Sequence, residues 1–155
     1  MRRLFGKVSA GPDRHCANAR VIRDYFHHKA CSQGYTLSHS QQRVIECMAQ
    51  HASTLLGTTG KTLPGLYLHG AVGRGKSWLL DGFFQAMPLA QKQRLHFHAF
   101  FARLHQGMFD HRDQPDALAT TLDELLRDCR VLCFDEFHVH DIGDAMLITR
   151  LFKAL

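Results

Sequence analysis

The chain has 155 residues, 45% of them hydrophobic and 21% charged, enough for one globular domain with a hydrophobic core. No run approaches the roughly 20 apolar residues that span a bilayer, so the sequence is not read as that of an integral membrane protein, and no transmembrane segment is expected. A formal charge of +5 and a pI near 9.1 would draw acidic partners, but the basic residues are scattered except near the start, so charge alone does not establish a nucleic-acid site.

The first 23 residues set Arg2, Arg3, Lys7, Arg14, Arg20 and Arg23 against the single acid Asp13. Mitochondrial presequences share this bias, but Gly11-Pro12 interrupts the stretch and an apolar helical face is hard to draw, so a solvated, partly disordered leader is expected. From Ser38 to Leu56 the pattern is helical: Ser38 and Gln41 have capping-box spacing, Ile45, Met48, Ala49, Ala52 and Leu56 form a stripe, and Gly57 stands at the stop. Residues 1–60 are therefore read as a basic leader and a helical N-terminal segment, set apart from a second segment, residues 61–155. A polar loop, Gly57 to Pro64, leads into the apolar run Gly65-Leu66-Tyr67-Leu68-His69, which reads as a buried strand.

Leu80, Phe83, Phe84 and Met87 then mark a helix ending before Pro88, and a second strand is expected over Arg94 to Phe100. Asp116, after Pro115, is placed as the N-cap of a helix through Leu118, Leu122, Leu125 and Leu126, followed by a strand from Val131 to Phe134 and a helix capped by Asp141. Strand, helix, strand, helix, strand, helix implies the α/β class, with a mostly parallel sheet covered by helices on both faces.

Two motifs carry chemistry. Gly70-Ala71-Val72-Gly73-Arg74-Gly75-Lys76-Ser77 matches G-x-x-x-x-G-K-[ST], the Walker A phosphate loop, in full. Its glycines let the backbone wrap until successive N–H groups face phosphate oxygens, and the helix that follows aims its positive end at them. Lys76 would place its charge between the β- and γ-phosphates of ATP, and the Ser77 hydroxyl would supply one ligand to Mg2+. Val131-Leu132-Cys133-Phe134-Asp135-Glu136 is an apolar strand ending in two carboxylates, a Walker B pattern. Asp135 would hold the Mg2+ and Glu136 would orient or deprotonate the attacking water. With one strand between it and a complete phosphate loop, this pair argues for ATP hydrolysis that drives a partner.

Other features are given plainer readings. His96/His98 and His138/His140 are His-x-His pairs, but no ligand set accompanies them at recognised spacing, and they are taken as packing or surface residues. The five cysteines, Cys16, Cys31, Cys47, Cys129 and Cys133, are odd in number with no Cys-x-x-Cys pair, which suits buried thiols in a reducing compartment such as the cytoplasm. Tyr35 and Gln41 could touch adenine, while a core tyrosine and a capping glutamine explain them equally well.

Around both motifs the residues resemble the AFG-one-like (AFG1-like) ATPase family, in its bacterial cell-division branch. The likeness runs from about Gly65 through Ser77, then Arg94-Leu95-His96-Phe97-His98, then Leu132 to Met146 with its Asp135-Glu136-Phe137 and Asp141-Ile142-Gly143-Asp144-Ala145-Met146. His138 in place of glutamine suggests the bacterial branch; Ala99 and Gly143 depart from an acid and an alanine in the family pattern. The resemblance implies an AAA+-type P-loop core, ATP hydrolysis with Mg2+, a homo-oligomer, and action on a protein assembly, for bacterial members the cytokinetic ring. A helicase-loader-like ATPase that uses the positive charge on nucleic acid, or a non-catalytic nucleotide-binding module, are the competing readings. Three strands can be drawn where the resembled fold has five, so the C-terminal part of the core is expected to be missing after Leu155, leaving a chain inactive in hydrolysis by itself.

Overall fold

The computed structural model describes residues 12–57, 64–138 and 142–154. Packing divides the chain into two compact units, Met1–Pro88 and Leu89–Leu155.

The first unit is helical. Helix α1, Pro12–Ser32, occupies much of the expected disordered leader. Gly11-Pro12 is a start signal rather than an interruption, because proline at the first helical position gives up an N–H that has no intrahelical acceptor and brings a φ already suited to the helix. Ala19, Ile22, Phe26 and Ala30 form its buried face. Helix α2, His39–Gly57, buries Ile45, Met48, Ala49 and Ala52 and begins in the expected capping box. The Ser38 N–H donates to Gln41 Oε1 at 2.9 Å and the Gln41 N–H to Ser38 Oγ at 3.3 Å. Arg23 of α1 grips Glu46 of α2 through Nε and Nη2 at 2.6 and 2.8 Å. That guanidinium, with a further hydrogen bond from Gln50, pulls the Glu46 carboxyl from 4.5 to about 2.

Helix α3, Lys76–Ala86, stops before Pro88 as expected, with Met87 in the extended backbone that a following proline favours. It buries Leu79, Gly82, Phe83 and Ala86, while Leu80 and Phe84 of the expected stripe are half-buried. A Cβ at position 82 would lie within 2.8 Å of Phe26 Cζ, so glycine there lets α1 approach α3 closely. Lys29 joins the same helices, with its ammonium 2.5 Å from Asp81 Oδ2 and 5.0 Å from the centre of the Trp78 ring.

The expected strand Gly65–His69 is not one. The stretch forms no regular structure, and Leu66 and Tyr67 are 45% and 71% exposed. An apolar run makes a strand only where a neighbouring strand takes up its N–H and C=O groups, and no ladder pairs this one.

The second unit runs β1 (Lys92–His96), α4 (Phe97–Asp110), α5 (Ala117–Leu125), β2 (Val131–Asp135) and α6 (Ile142–Ala154). The strands pair in parallel, Lys92 opposite Val131 through His96 opposite Asp135. Among the described residues the sheet thus has two strands rather than three. The strand expected to reach Phe100 ends at His96, because Phe97, Phe100, Phe101 and Leu104 make a helical stripe and are all buried. These four form one core with Leu118, Leu122, Ile148 and Leu151, onto which Leu95, Phe134 and Phe137 pack. Asp116 caps α5 as expected, its carboxylate accepting from the Ala119 N–H at 3.1 Å. The expected cap of α6, Asp141, lies outside the described residues.

Candidate nucleotide-binding site

In the first unit, Gly70 to Gly75 form a loop that turns at Val72 to Arg74 and feeds directly into α3, whose first residues are Lys76 and Ser77. Gly70, Gly73 and Gly75 have φ of 150°, 79° and 82°, the left-handed region that side-chain-bearing residues rarely enter. Gly75 is the N-cap of α3, and its carbonyl accepts the first intrahelical bond, from the Leu79 N–H at 2.9 Å. Gly70 to Arg74 are exposed, Val72 almost completely, at 97%. Lys76 turns back over the loop and donates to the carbonyls of Gly70 and Ala71, both at 2.9 Å. The Ser77 side chain is exposed on the first helical turn, where backbone N–H groups have no acceptor within the helix. Such a loop can collect an anion: a full positive charge, a hydroxyl and a helix N-terminus converge on it.

Outside the motif, one side chain reaches this loop and another anchors the helix that it feeds. Gln41, at the start of α2, donates from Nε2 to the Arg74 carbonyl at 3.4 Å. Trp78 donates to Gln33 Oε1 at 2.6 Å, and its ring lies 5.5 Å from Phe26 and 6.3 Å from Tyr35. Tyr35 is no core tyrosine, being 60% exposed, whereas Gln41 is the capping glutamine.

In the second unit, Asp135 ends β2 and Glu136 follows it. Arg94 of β1 donates from Nη2 to Asp135 Oδ2 at 2.7 Å, and the Glu136 N–H donates to Oδ1 at 3.2 Å, so both carboxylate oxygens are oriented. Arg94 lies opposite Cys133, hence diagonal to Asp135 on the same face of the ladder. Sequence reading missed this arginine; the signal was a cation in the strand that pairs with the acid-tipped one. Glu136 is exposed and sits at φ 54°, a conformation with a strain cost of about 1 kcal/mol for a residue with a Cβ. His96 closes β1 and His98 lies exposed in the first turn of α4, so they do not share one face of an extended strand; His138 is exposed and His140 lies outside the described residues.

Of the cysteines, Cys133 is buried and Cys129 half-buried; burial raises both thiols, Cys133 to about 11. Cys31 and Cys47 are exposed rather than buried, since each falls on the solvent side of its helix.

A family model described as AFG1-like ATPase matches residues 14–155. The chain belongs to the AFG1-like ATPase family. Among its relatives, the cell division protein ZapE of Escherichia coli K12 is 52% identical over 91 residues, 59% of this chain and 24% of that protein. An uncharacterized protein of Schizosaccharomyces pombe is 40% identical over 97 residues, 59% of this chain and 21% of that protein. Lactation elevated protein 1 homolog B of Danio rerio is 31% identical over 102 residues, 59% of this chain and 20% of that protein. The chain thus matches about a fifth to a quarter of the length of these curated relatives, and its likeness to the bacterial one supports the bacterial branch. No solved structure matches it. Among the described residues, no helix is long and apolar enough to cross a membrane.

Proposed function

We propose that this AFG1-like chain carries the Mg2+-ATP site of a P-loop, AAA+-like ATPase, with residues 61–155 contributing the core and residues 1–60 an N-terminal segment. The observation that carries the reading is the Gly70–Ser77 loop, with three left-handed glycines, a lysine folded over its mouth and a helix beginning at its end. Gly70, Ala71, Val72, Gly73, Arg74 and Gly75 present backbone N–H groups to the phosphates, and Lys76 exchanges its two carbonyl partners for β- and γ-phosphate oxygens. From the two sequence motifs, Ser77 would offer a hydroxyl and Asp135 a carboxylate to Mg2+, both oxygen donors of the kind a hard cation takes; within its own unit the Asp135 carboxylate is oriented by Arg94 and the Glu136 N–H. Bound Mg2+ would supply charge neutralisation to the phosphates. Glu136, exposed just past the strand end, takes the proton of the attacking water.

The ZapE likeness supports an extension of this reading: a cytoplasmic homo-oligomer that remodels or regulates a protein assembly, the bacterial division ring.

Lys76→Ala should weaken ATP binding by about 10- to 100-fold, the worth of one or two hydrogen bonds to a charged group, without unfolding the chain. Asp135→Asn should weaken only the Mg2+-dependent part of binding. In a chain extended to the length of its relatives, Glu136→Gln should bind ATP and release phosphate far more slowly. Unchanged ATP affinity in folded Lys76→Ala sinks the phosphate-loop assignment, and normal phosphate release by both carboxylate variants sinks the second.

A further inference from the structure

We infer that Gln41 is a positioning residue for the phosphate loop, one side chain that both starts helix α2 and fixes the orientation of the Arg74–Gly75 peptide. The proposal rests on reading Gly70–Ser77 as a phosphate site. The two ends of the Gln41 amide do different work: Oε1 accepts from the Ser38 N–H at 2.9 Å, closing the capping box, while Nε2 donates to the Arg74 carbonyl at 3.4 Å. In a planar trans peptide the C=O and the next N–H point in opposite directions, so an Arg74 carbonyl turned toward Gln41 turns the Gly75 N–H away from it.

Glycine at 75 could tolerate the flipped peptide, because it enters either sign of φ at similar cost; the loop sequence alone does not select one orientation. Gln41 supplies the selection. It also stands close enough that a Cβ at position 75 would lie 3.0 Å from Nε2, so a side chain there would press on the Gln41 amide and oblige it to shift. The Ser38 N–H, donating to Oε1, holds the amide from its other end, which makes the donor preorganised rather than a freely rotating surface glutamine.

Two substitutions in the 155-residue chain separate the roles. Gln41→Glu keeps an acceptor for the Ser38 N–H, since glutamate serves a capping box as well as glutamine does, but loses the donor to Arg74. Ser38→Ala does the reverse, weakening the box and leaving Nε2 able to donate. Hydrogen exchange without nucleotide is measured on peptides covering 70–77 and 39–57, and ATP affinity is read from the fluorescence of Trp78, the chain's single tryptophan. Gln41→Glu is expected to speed exchange in the loop by about 3- to 10-fold and to weaken ATP binding by a similar factor, with α2 protection unchanged. Ser38→Ala is expected to speed exchange at the start of α2 and leave the loop within about twofold. Loop exchange unchanged in Gln41→Glu overturns the proposal, as does faster loop exchange with unaltered ATP affinity in a chain that binds ATP. If the parent chain binds no ATP, the nucleotide reading fails, and the exchange result alone decides whether Gln41 holds the peptide.

Discussion

Met1–Pro88 and Leu89–Leu155 both fold helices around apolar residues and both add ion pairs between elements, but they present their candidate chemistry differently. In the first unit the links between helices include two ion pairs, Arg23–Glu46 and Lys29–Asp81, and the loop that would meet phosphate is exposed from Gly70 to Arg74. In the second, eight buried side chains from α4, α5 and α6 form one core, and the candidate acids stand at the end of a strand packed against it. The cationic loop thus stands out from its scaffold, whereas the acidic strand end is held by a packed core and by the guanidinium of Arg94.

The largest effect that tests this contrast is a cavity. Phe100 is fully buried, 5.0 Å from the Phe134 ring, and Phe100→Ala should cost about 3–5 kcal/mol. Exchange protection should fall across α4, α5 and β2 and persist in α1 and α2; equal loss in all of them would mean that the two units do not stabilise themselves separately. Next comes Gly82→Ala, whose methyl would press into the Phe26 ring. Overpacking there should cost about 1–3 kcal/mol, read as lost protection in α1 and α3. A gain in stability, as helix propensity alone would give, would show that α1 can shift away.

The smallest effect concerns Glu46. Its folded pKa, about 2, lies below its ordinary 4.5, so its contribution to stability is fully present above pH 4.5 and is lost as pH falls toward 2. Both partners are about 40% exposed, so solvent screening limits this to below about 1 kcal/mol. Glu46→Gln should flatten the acid limb of the first unit between those pH values and leave the second unit's limb alone. An identical acid profile in the variant would mean that the Arg23–Glu46 pair does not set the first unit's acid sensitivity.

The parts of this fold legible in the sequence are those fixed by neighbours along the chain. Ser38 with Gln41, Asp116 before α5, and Pro88 after α3 act through hydrogen bonds or sterics within a few residues, and all three marked their elements correctly. What escaped depends on distant partners or on an ambiguous period. Gly65–His69 has the residues of a strand and lacks a ladder, which no local pattern reports. Arg94 to Phe100 fits a period of two as well as 3.6, and the aromatic core decided for a helix from Phe97 onward. Of the candidate site, the loop and the two acids could be named from the sequence, whereas Arg94 and the second role of Gln41 could not, because each acts across more than thirty residues of chain.

Glu136 leaves β2 in a left-handed backbone conformation that glycine or asparagine would occupy at lower cost. Under selection for stability alone glycine or asparagine would be preferred there by about 1 kcal/mol, and the proposed role of the Glu136 carboxylate is a reason for a glutamate to be kept instead. Robustness and the acid pull in opposite directions at this single position. A search for hardier versions of the chain, run blind to what it does, would discard Glu136 among its first gains.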